Sequence, residues 1–186
     1  MAFCYMISIA GSHNSHTAQL AQALREAYSH RKVTVLNMES YRKEEQELPL
    51  AELGSGLSYR DYYSPESFDL ESMRRDIEAI MEKVTCRILI VEGLLTLSDA
   101  WIEEVSDVRV YVNTAADIRV LRHLDREMEA GLSYQEASEK YLELVRARHE
   151  QYVRPFVEQA DIVVDDEKGV EQGVWQIRKA LRGLML

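Results

Sequence analysis

The chain has 186 residues, 22 of them basic and 32 acidic, for a formal charge of −10. That length is enough for one domain with a buried core, and the acidic balance disfavours nonspecific binding to nucleic acid or anionic membrane, so an anionic ligand needs a local basic pocket. The opening apolar run lacks a basic flank and a cleavage site, no segment reaches the ~18 apolar residues of a membrane span, and Cys4 and Cys86 lie in apolar runs without metal or disulfide spacing; these features predict core thiols and a cytoplasmic protein.

In chain order, a strand is predicted over residues 3–10, and it runs into Ala10-Gly11-Ser12-His13-Asn14-Ser15-His16-Thr17-Ala18. A phosphate-binding loop of the form GxxxxGK(S/T) wraps phosphate with backbone N–H groups, reaches the β and γ phosphates with Lys and holds Mg²⁺ with the hydroxyl. Aligned on Gly11, this chain has His16 for the second Gly, Thr17 for Lys and Ala18 for the hydroxyl. The helix that follows still offers its amides to an anion, worth ~0.3–1 kcal/mol each at an exposed site. Left-handed geometry at non-glycine residues costs ~1–2 kcal/mol each, less for Asn, so the loop is expected to be rebuilt. His13 and His16 are open to three readings: ordinary loop residues, a protonated stand-in for the missing charge, or a two-ligand metal pair.

Leu20, Ala23, Leu24 and Ala27 give helical spacing over residues 17–29, and further strands are predicted at 32–37, 87–92, 108–113 and 161–164. Residues 39–64 carry few apolar anchors, a Gly54-Ser55-Gly56 hinge and a charged run from Arg42 to Glu47, which predicts an irregular, mobile binding flap. Residues 70–84 form a helix with Met73, Ile77, Ile80 and Met81 on one side, and Asp69 is an N-cap by its chemistry. The stretch 115–158 reads as two helices parted near Gly131-Leu132-Ser133, with Pro155 bending or ending the second, and residues 170–184 form a closing helix. The alternation predicts an α/β domain of three layers: a parallel five-stranded sheet with helices on both faces.

Several stretches then carry a resemblance: Ile90-Val91-Glu92-Gly93-Leu94-Leu95, Ala116-Asp117-Ile118-Arg119-Val120-Leu121-Arg122-His123, the run from Val145-Arg146-Ala147-Arg148-His149-Glu150-Gln151 to Pro155, and Ala160-Asp161-Ile162. In this order and at compatible spacing, the chain resembles the uridine kinase and phosphoribulokinase family of P-loop kinases over nearly its whole length, 1–186, with a flap at about 39–64 and an arginine-bearing lid at about 117–140. The resemblance implies ATP and Mg²⁺ as cofactors. It implies phosphate held at Gly11, Ser12, His13, Asn14, Ser15, His16 and Thr17, with Glu39 as the base that takes the proton of an attacking hydroxyl. Arg119, Arg122 and Arg126 become the lid arginines, Glu92 the magnesium carboxylate, and Asp69, Tyr63 and His149 the substrate side. Spacing by itself puts the three arginines on one helix face.

The missing Lys and hydroxyl, and a lid turn Glu129-Ala130-Gly131-Leu132 without the arginines that the resemblance implies there, lead to one expectation: a family homologue with a degenerate loop that binds a nucleoside, nucleotide or phosphorylated metabolite, with weak or no kinase activity. The other reading is an active ATP-dependent kinase of uridine, cytidine or another small alcohol using a non-standard loop. A third is a structural homologue that assembles through its helices, which leaves homo-oligomerisation open.

Overall fold

In a computed structural model, residues 4–83 and 86–182 are described. The elements run β1 (Tyr5–Gly11), α1 (Thr17–Ala27), β2 (Val33–Asn37), β3 (Leu50–Glu52), β4 (Ser58–Arg60), α2 (Leu70–Met81), β5 (Ile88–Glu92), α3 (Ala100–Val105), β6 (Val108–Asn113), α4 (Ala116–Glu129), α5 (Tyr134–Lys140), α6 (Arg146–Tyr152), β7 (Ile162–Asp165) and α7 (Val170–Leu181). A π-helical stretch, Tyr141–Val145, joins α5 to α6.

Five parallel strands form one sheet in the order β2-β5-β1-β6-β7, so β1 is central, with Ile7 paired to Ile90 on one side and Val108 on the other. Strand side chains alternate between faces, and β1 shows it. Met6 and Ala10 join Met73, Ile77 and Leu89 in the apolar layer beneath α2, whereas Ile7 and Ile9 join Leu20, Leu24 and Ile177 beneath α1 and α7. Helix α7 comes close because Gly173 faces the sheet: a Cβ there would lie 2.8 Å from Val164 Cγ1. The three layers are those expected.

The predicted strands appear with ends moved by a residue or two, while the helices end earlier than expected, α2 at Met81, α6 at Tyr152 and α7 at Leu181; the expected ends at Phe3, Val84 and Leu184 lie outside the described residues. Gly131 (φ 103°) separates α4 from α5, whose capping box is Ser133 with Glu136. Helix α6 ends at Tyr152, before a 3-10 turn containing Pro155. Cys4 and Cys86 are buried free thiols, and burial with the neighbouring Cys86 pushes the Cys4 pKa up to about 12.

Two features depart from expectation. Helix α3, capped by Asp99, was not anticipated. The segment 39–64 is not wholly irregular: amid its loops and 3-10 turns, β3 and β4 form an antiparallel hairpin whose Leu53 joins Tyr63, Tyr141, Leu144 and Val145 in a third apolar cluster. Polar ties fix it from a distance, with Glu143 accepting from Gly54 N–H (2.7 Å) and the buried Asp61 accepting from Arg148 Nε (2.6 Å).

Candidate functional site

The carboxyl ends of β1, β2 and β5 open into a hollow of about 570 Å³. Its floor is the turn after β1. A Cβ on Gly11 would sit 2.3 Å from Ser15 Oγ and 2.6 Å from Thr17 Cγ2, so the turn closes tightly there. Among the described non-glycine residues only Asn14 takes a positive φ, 62°, and Asn is the type that adopts the left-handed region most cheaply. Side chains then do what glycines do elsewhere. Asn14 O accepts from Arg122 Nη1 (2.8 Å), Asn14 Oδ1 from Arg126 Nη1 (2.9 Å), and Ser12 Oγ bonds the Tyr111 hydroxyl (3.0 Å).

The two histidines diverge. His13 Nε2 lies 2.9 Å from Arg126 Nη2, which can only donate. The ring stacks edge-on against Tyr63 at 4.7 Å, and burial, with Arg126 next in weight, holds its pKa well below the usual imidazole value. His13 is therefore a neutral acceptor and not a substitute ammonium. His16 turns away from the hollow to Asp166, its Nδ1 2.9 Å from Oδ1. Among the described residues no three His, Cys, Asp or Glu side chains gather as a metal site.

Thr17 stands where a lysine would reach phosphate, close enough to Glu92 for its hydroxyl to favour the charged carboxylate. Glu92 is buried at the end of β5; burial raises its pKa, Thr17 opposes this and Glu39 adds to it. Just beyond, Gly93 packs so closely on Met38 that a Cβ would lie 2.3 Å from the methionine Cβ. Glu39 is positioned by the short turn after β2, where Asn37 Oδ1 accepts its backbone N–H (2.6 Å), and its carboxylate is held by Arg42 (Nε to Oε2, 2.9 Å). The Arg42 guanidinium lies over the Phe68 and Tyr62 rings at 4.6 and 5.2 Å and donates to Tyr62 O.

Where α4 and α5 border the hollow, Glu127 accepts from Lys140 Nζ (2.7 Å) and Arg126 Nη2 (3.0 Å). Burial works to raise the Glu127 pKa, but these two cations outweigh it and the net shift is downward. Lys140 also sits 5.1 Å from the Tyr59 ring centre. The hollow is thus lined by three cations, Arg42, Arg126 and Lys140, and three carboxylates, Glu39, Glu92 and Glu127. All three cations are already bonded to a carboxylate. The lining is polar and close to neutral when every group is ionised.

Of the residues expected from the sequence, Gly11 to Ser15, Thr17, Glu39, Tyr63, Glu92 and Arg126 line this hollow, while His16, Arg119, Arg122, Asp69 and His149 do not. Arg122 is bound to Asp166 (Nη1 to Oδ2, 2.6 Å). Arg119 acts electrostatically on Tyr111, Tyr141 and His149, and its Nε has no partner. Asp69 is exposed and caps α2, accepting from Ser72 N–H (3.0 Å). His149 is buried with Nδ1 unpartnered, and burial, then Arg119, lowers its pKa to about 4. The three arginines of α4 share a face, yet Arg126 lies seven positions beyond Arg119, about 10 Å along a helix axis. One face is not one point.

Residues that the sequence did not mark are Arg42, Tyr62 and Glu127 in the lining and Asp166 behind the loop. Arg42 was hidden within a run of charges. Asp166 carried only the signal of a carboxylate just past a strand end.

A model of the phosphoribulokinase / uridine kinase family matches residues 68–171. Among curated proteins, the uridine kinase of Geobacillus sp. (strain WCH70) is 29% identical over 184 residues, covering 87% of this chain and 85% of the relative. Among solved structures, phosphoribulokinase from Rhodobacter spheroides superposes with a TM-score of 0.66 at 13% identity, covering 89% of this chain and 71% of that one. Shikimate kinase from Bacteroides thetaiotaomicron gives 0.60 at 14%, covering 96% and 98%.

Proposed function

The chain belongs to the phosphoribulokinase and uridine kinase family, and from that premise we propose that its hollow binds a nucleoside, nucleotide or other phosphorylated metabolite, with weak or no transfer of phosphate from ATP. One observation carries the reading: each cation lining the hollow is paired with a carboxylate, and the position that needs an ammonium is a threonine beside Glu92. A lysine 4 Å from a phosphate is worth on the order of 4 kcal/mol at an effective dielectric of about 20. The helix end that remains supplies ~0.3–1 kcal/mol per interaction. The difference decides against a tight grip on a triphosphate.

The residues present also fit magnesium poorly, because position 18 is alanine and Glu92 is engaged by Thr17. What the hollow does offer is a near-neutral lining, the rings of Tyr62 and Tyr63, and the carboxylate of Glu39 as an acceptor for a ligand hydroxyl. That chemistry suits a nucleoside or polyol better than a polyphosphate chain. In this reading residues 39–64 act as a flap and 117–140 as a lid. No helix of the described residues is long and apolar enough to cross a membrane; a cytoplasmic location belongs to the same reading, supported by the free buried thiols.

An active ATP-dependent kinase of uridine, cytidine or another small alcohol draws on a different observation, the convergence of Glu39 and Arg126 on one hollow. Calorimetry separates the two. Uridine, cytidine and a panel of phosphosugars are titrated beside MgATP, with transfer assayed in parallel. The proposal expects a nucleoside or phosphorylated ligand to bind and MgATP to bind weakly; micromolar MgATP affinity with acceptor-dependent ADP release would falsify it. The combined change His16→Gly, Thr17→Lys and Ala18→Thr is expected to increase MgATP affinity.

A further inference from the structure

At the opposite end of the sheet, where the strands begin, lies a second hollow of about 840 Å³ between the end of α1, the start of β2 and the connection from α2 to β5. Among the described residues its lining contains Arg25, Arg31, Lys32 and Lys83 against one carboxylate, Glu26, so cations predominate here on a chain with a formal charge of −10. Glu26 is occupied by the Gln22 amide (3.0 Å). Arg25, Lys32 and Lys83 make no ion pair with any described residue. The contrast with the first hollow is direct: there every cation is bonded to a carboxylate.

Helix dipoles account for part of this basic charge, since Arg25 lies in the last turn of α1 and Lys83 just past the end of α2. They do not account for Lys32, which lies beyond α1, just before β2. The turns that carry these cations are fixed by backbone bonds: Arg31 N–H to Tyr28 O (2.8 Å), Cys86 N–H to Lys83 O (3.0 Å), and Arg87 and Ile88 N–H to Lys32 O (3.0 and 3.2 Å). Ordering of that backbone need not be supplied by a ligand. Thr34 adds a hydroxyl and Ile80 an apolar wall. The volume lies within the range of small-molecule sites.

We propose that this hollow is a second ligand site, remote from the first, for a small molecule bearing a chain of phosphates, either a nucleotide or an inorganic polyphosphate. Lysine and arginine heads converging on a concave surface are the groups that bind such a chain.

The test is calorimetric titration of the full chain with sodium tripolyphosphate in metal-free, low-salt buffer. The unmodified chain should bind one equivalent, with affinity falling as salt is added. Lys32→Gln with Lys83→Gln should weaken it roughly tenfold or more, as expected for the loss of charge-assisted contacts. Glu39→Gln, in the first hollow, should leave it unchanged. Metal-free UTP run alongside tells the sources apart: equal affinity assigns recognition to the phosphates alone, tighter UTP to phosphates plus a base on the Ile80 side, and both uphold the site. All the substituted side chains are exposed, so thermal melts should coincide; Arg25→Gln is a separate variant if they do not. No binding by the unmodified chain, equal binding by the double variant, or tighter binding by Glu39→Gln would each overturn the proposal.

Discussion

Asp166 meets His16 twice across 150 residues of chain: its Oδ1 accepts the His16 backbone N–H at 3.2 Å and lies 2.9 Å from Nδ1 of the same residue. The other oxygen takes Thr114 Oγ1 (3.0 Å) and Arg122 Nη1 (2.6 Å). One buried carboxylate thereby joins the ends of β6 and β7, helix α4 and the entry to α1. It also occupies the amide of the residue just before α1.

Replacing Asp166 by Ala should cost about 3 kcal/mol in urea unfolding, the scale for removing one partner of a buried, hydrogen-bonded charge pair. Burial acts to raise its pKa, but Arg122, His16 and Thr114 prevail and the net shift is downward. With the folded pKa below the ~3.9 of an unfolded Asp, its contribution is complete above about pH 4 and fades as pH falls through the folded value. A loss under 1 kcal/mol at pH 7 would show that the four contacts are incidental.

Residues whose partners are close in sequence were legible, and residues placed by distant partners were not. The strands of the parallel sheet announce themselves as apolar, β-branched runs, and Asp69 caps α2 through Ser72, three residues on. The six residues of α3 are too few to display a helical period, and the three-residue strands of the hairpin display no alternation. Its anchors, Asp61 to Arg148 and Gly54 to Glu143, span more than eighty residues. In the site, spacing gave the arginine face but not its targets, because the Asp166 and Asn14 acceptors belong to other elements.

His149 predicts the pH response near neutrality. Its folded pKa of about 4 lies below the ~6.5 of an unfolded imidazole. Between those values the unfolded chain binds a proton that the folded chain refuses, so stability must fall as pH drops from about 6.5 toward 4. The loss should reach on the order of 3 kcal/mol at the acid end. In His149→Gln, urea unfolding from pH 4.5 to 7 should show a shallower slope; His13 and His123, also shifted down, leave some of it. An unchanged slope would mean that His149 titrates normally.

The hairpin should come loose as a unit when Asp61 is neutralised. Asp61 is fully buried, accepts from Arg148 and from Tyr63 N–H (2.9 Å), and its carbonyl receives the Ser67 hydroxyl. Asp61→Asn keeps the shape but removes the charge paired with Arg148, a loss of about 1–3 kcal/mol. Hydrogen exchange is the measurement of choice: amides at 50–64 should exchange faster while those of β1 and β5 hold, the behaviour of a local unfolding unit. Equal acceleration in β1 would show that the hairpin and the sheet open together.

Glu92 is the one carboxylate lining the hollow with no cation bonded to it, and the fold bears a cost for keeping it there. Its folded pKa is raised by burial, so its stability contribution is present at low pH and is lost as pH rises through that value, where the buried group must ionise. Glu92→Gln retains an acceptor for the Thr17 hydroxyl and removes the charge. At pH 7 the variant should therefore be more stable than the parent by about 1 kcal/mol, the usual gain when a functional site is relieved of a strained group, with the gap closing at pH 4. Nucleoside affinity should fall in the same variant, because a carboxylate retained against stability at the mouth of a ligand hollow is expected to serve the ligand. If Glu92→Gln is instead less stable at pH 7, the ionised group is bracing the loop through Thr17, and its place in the hollow is structural.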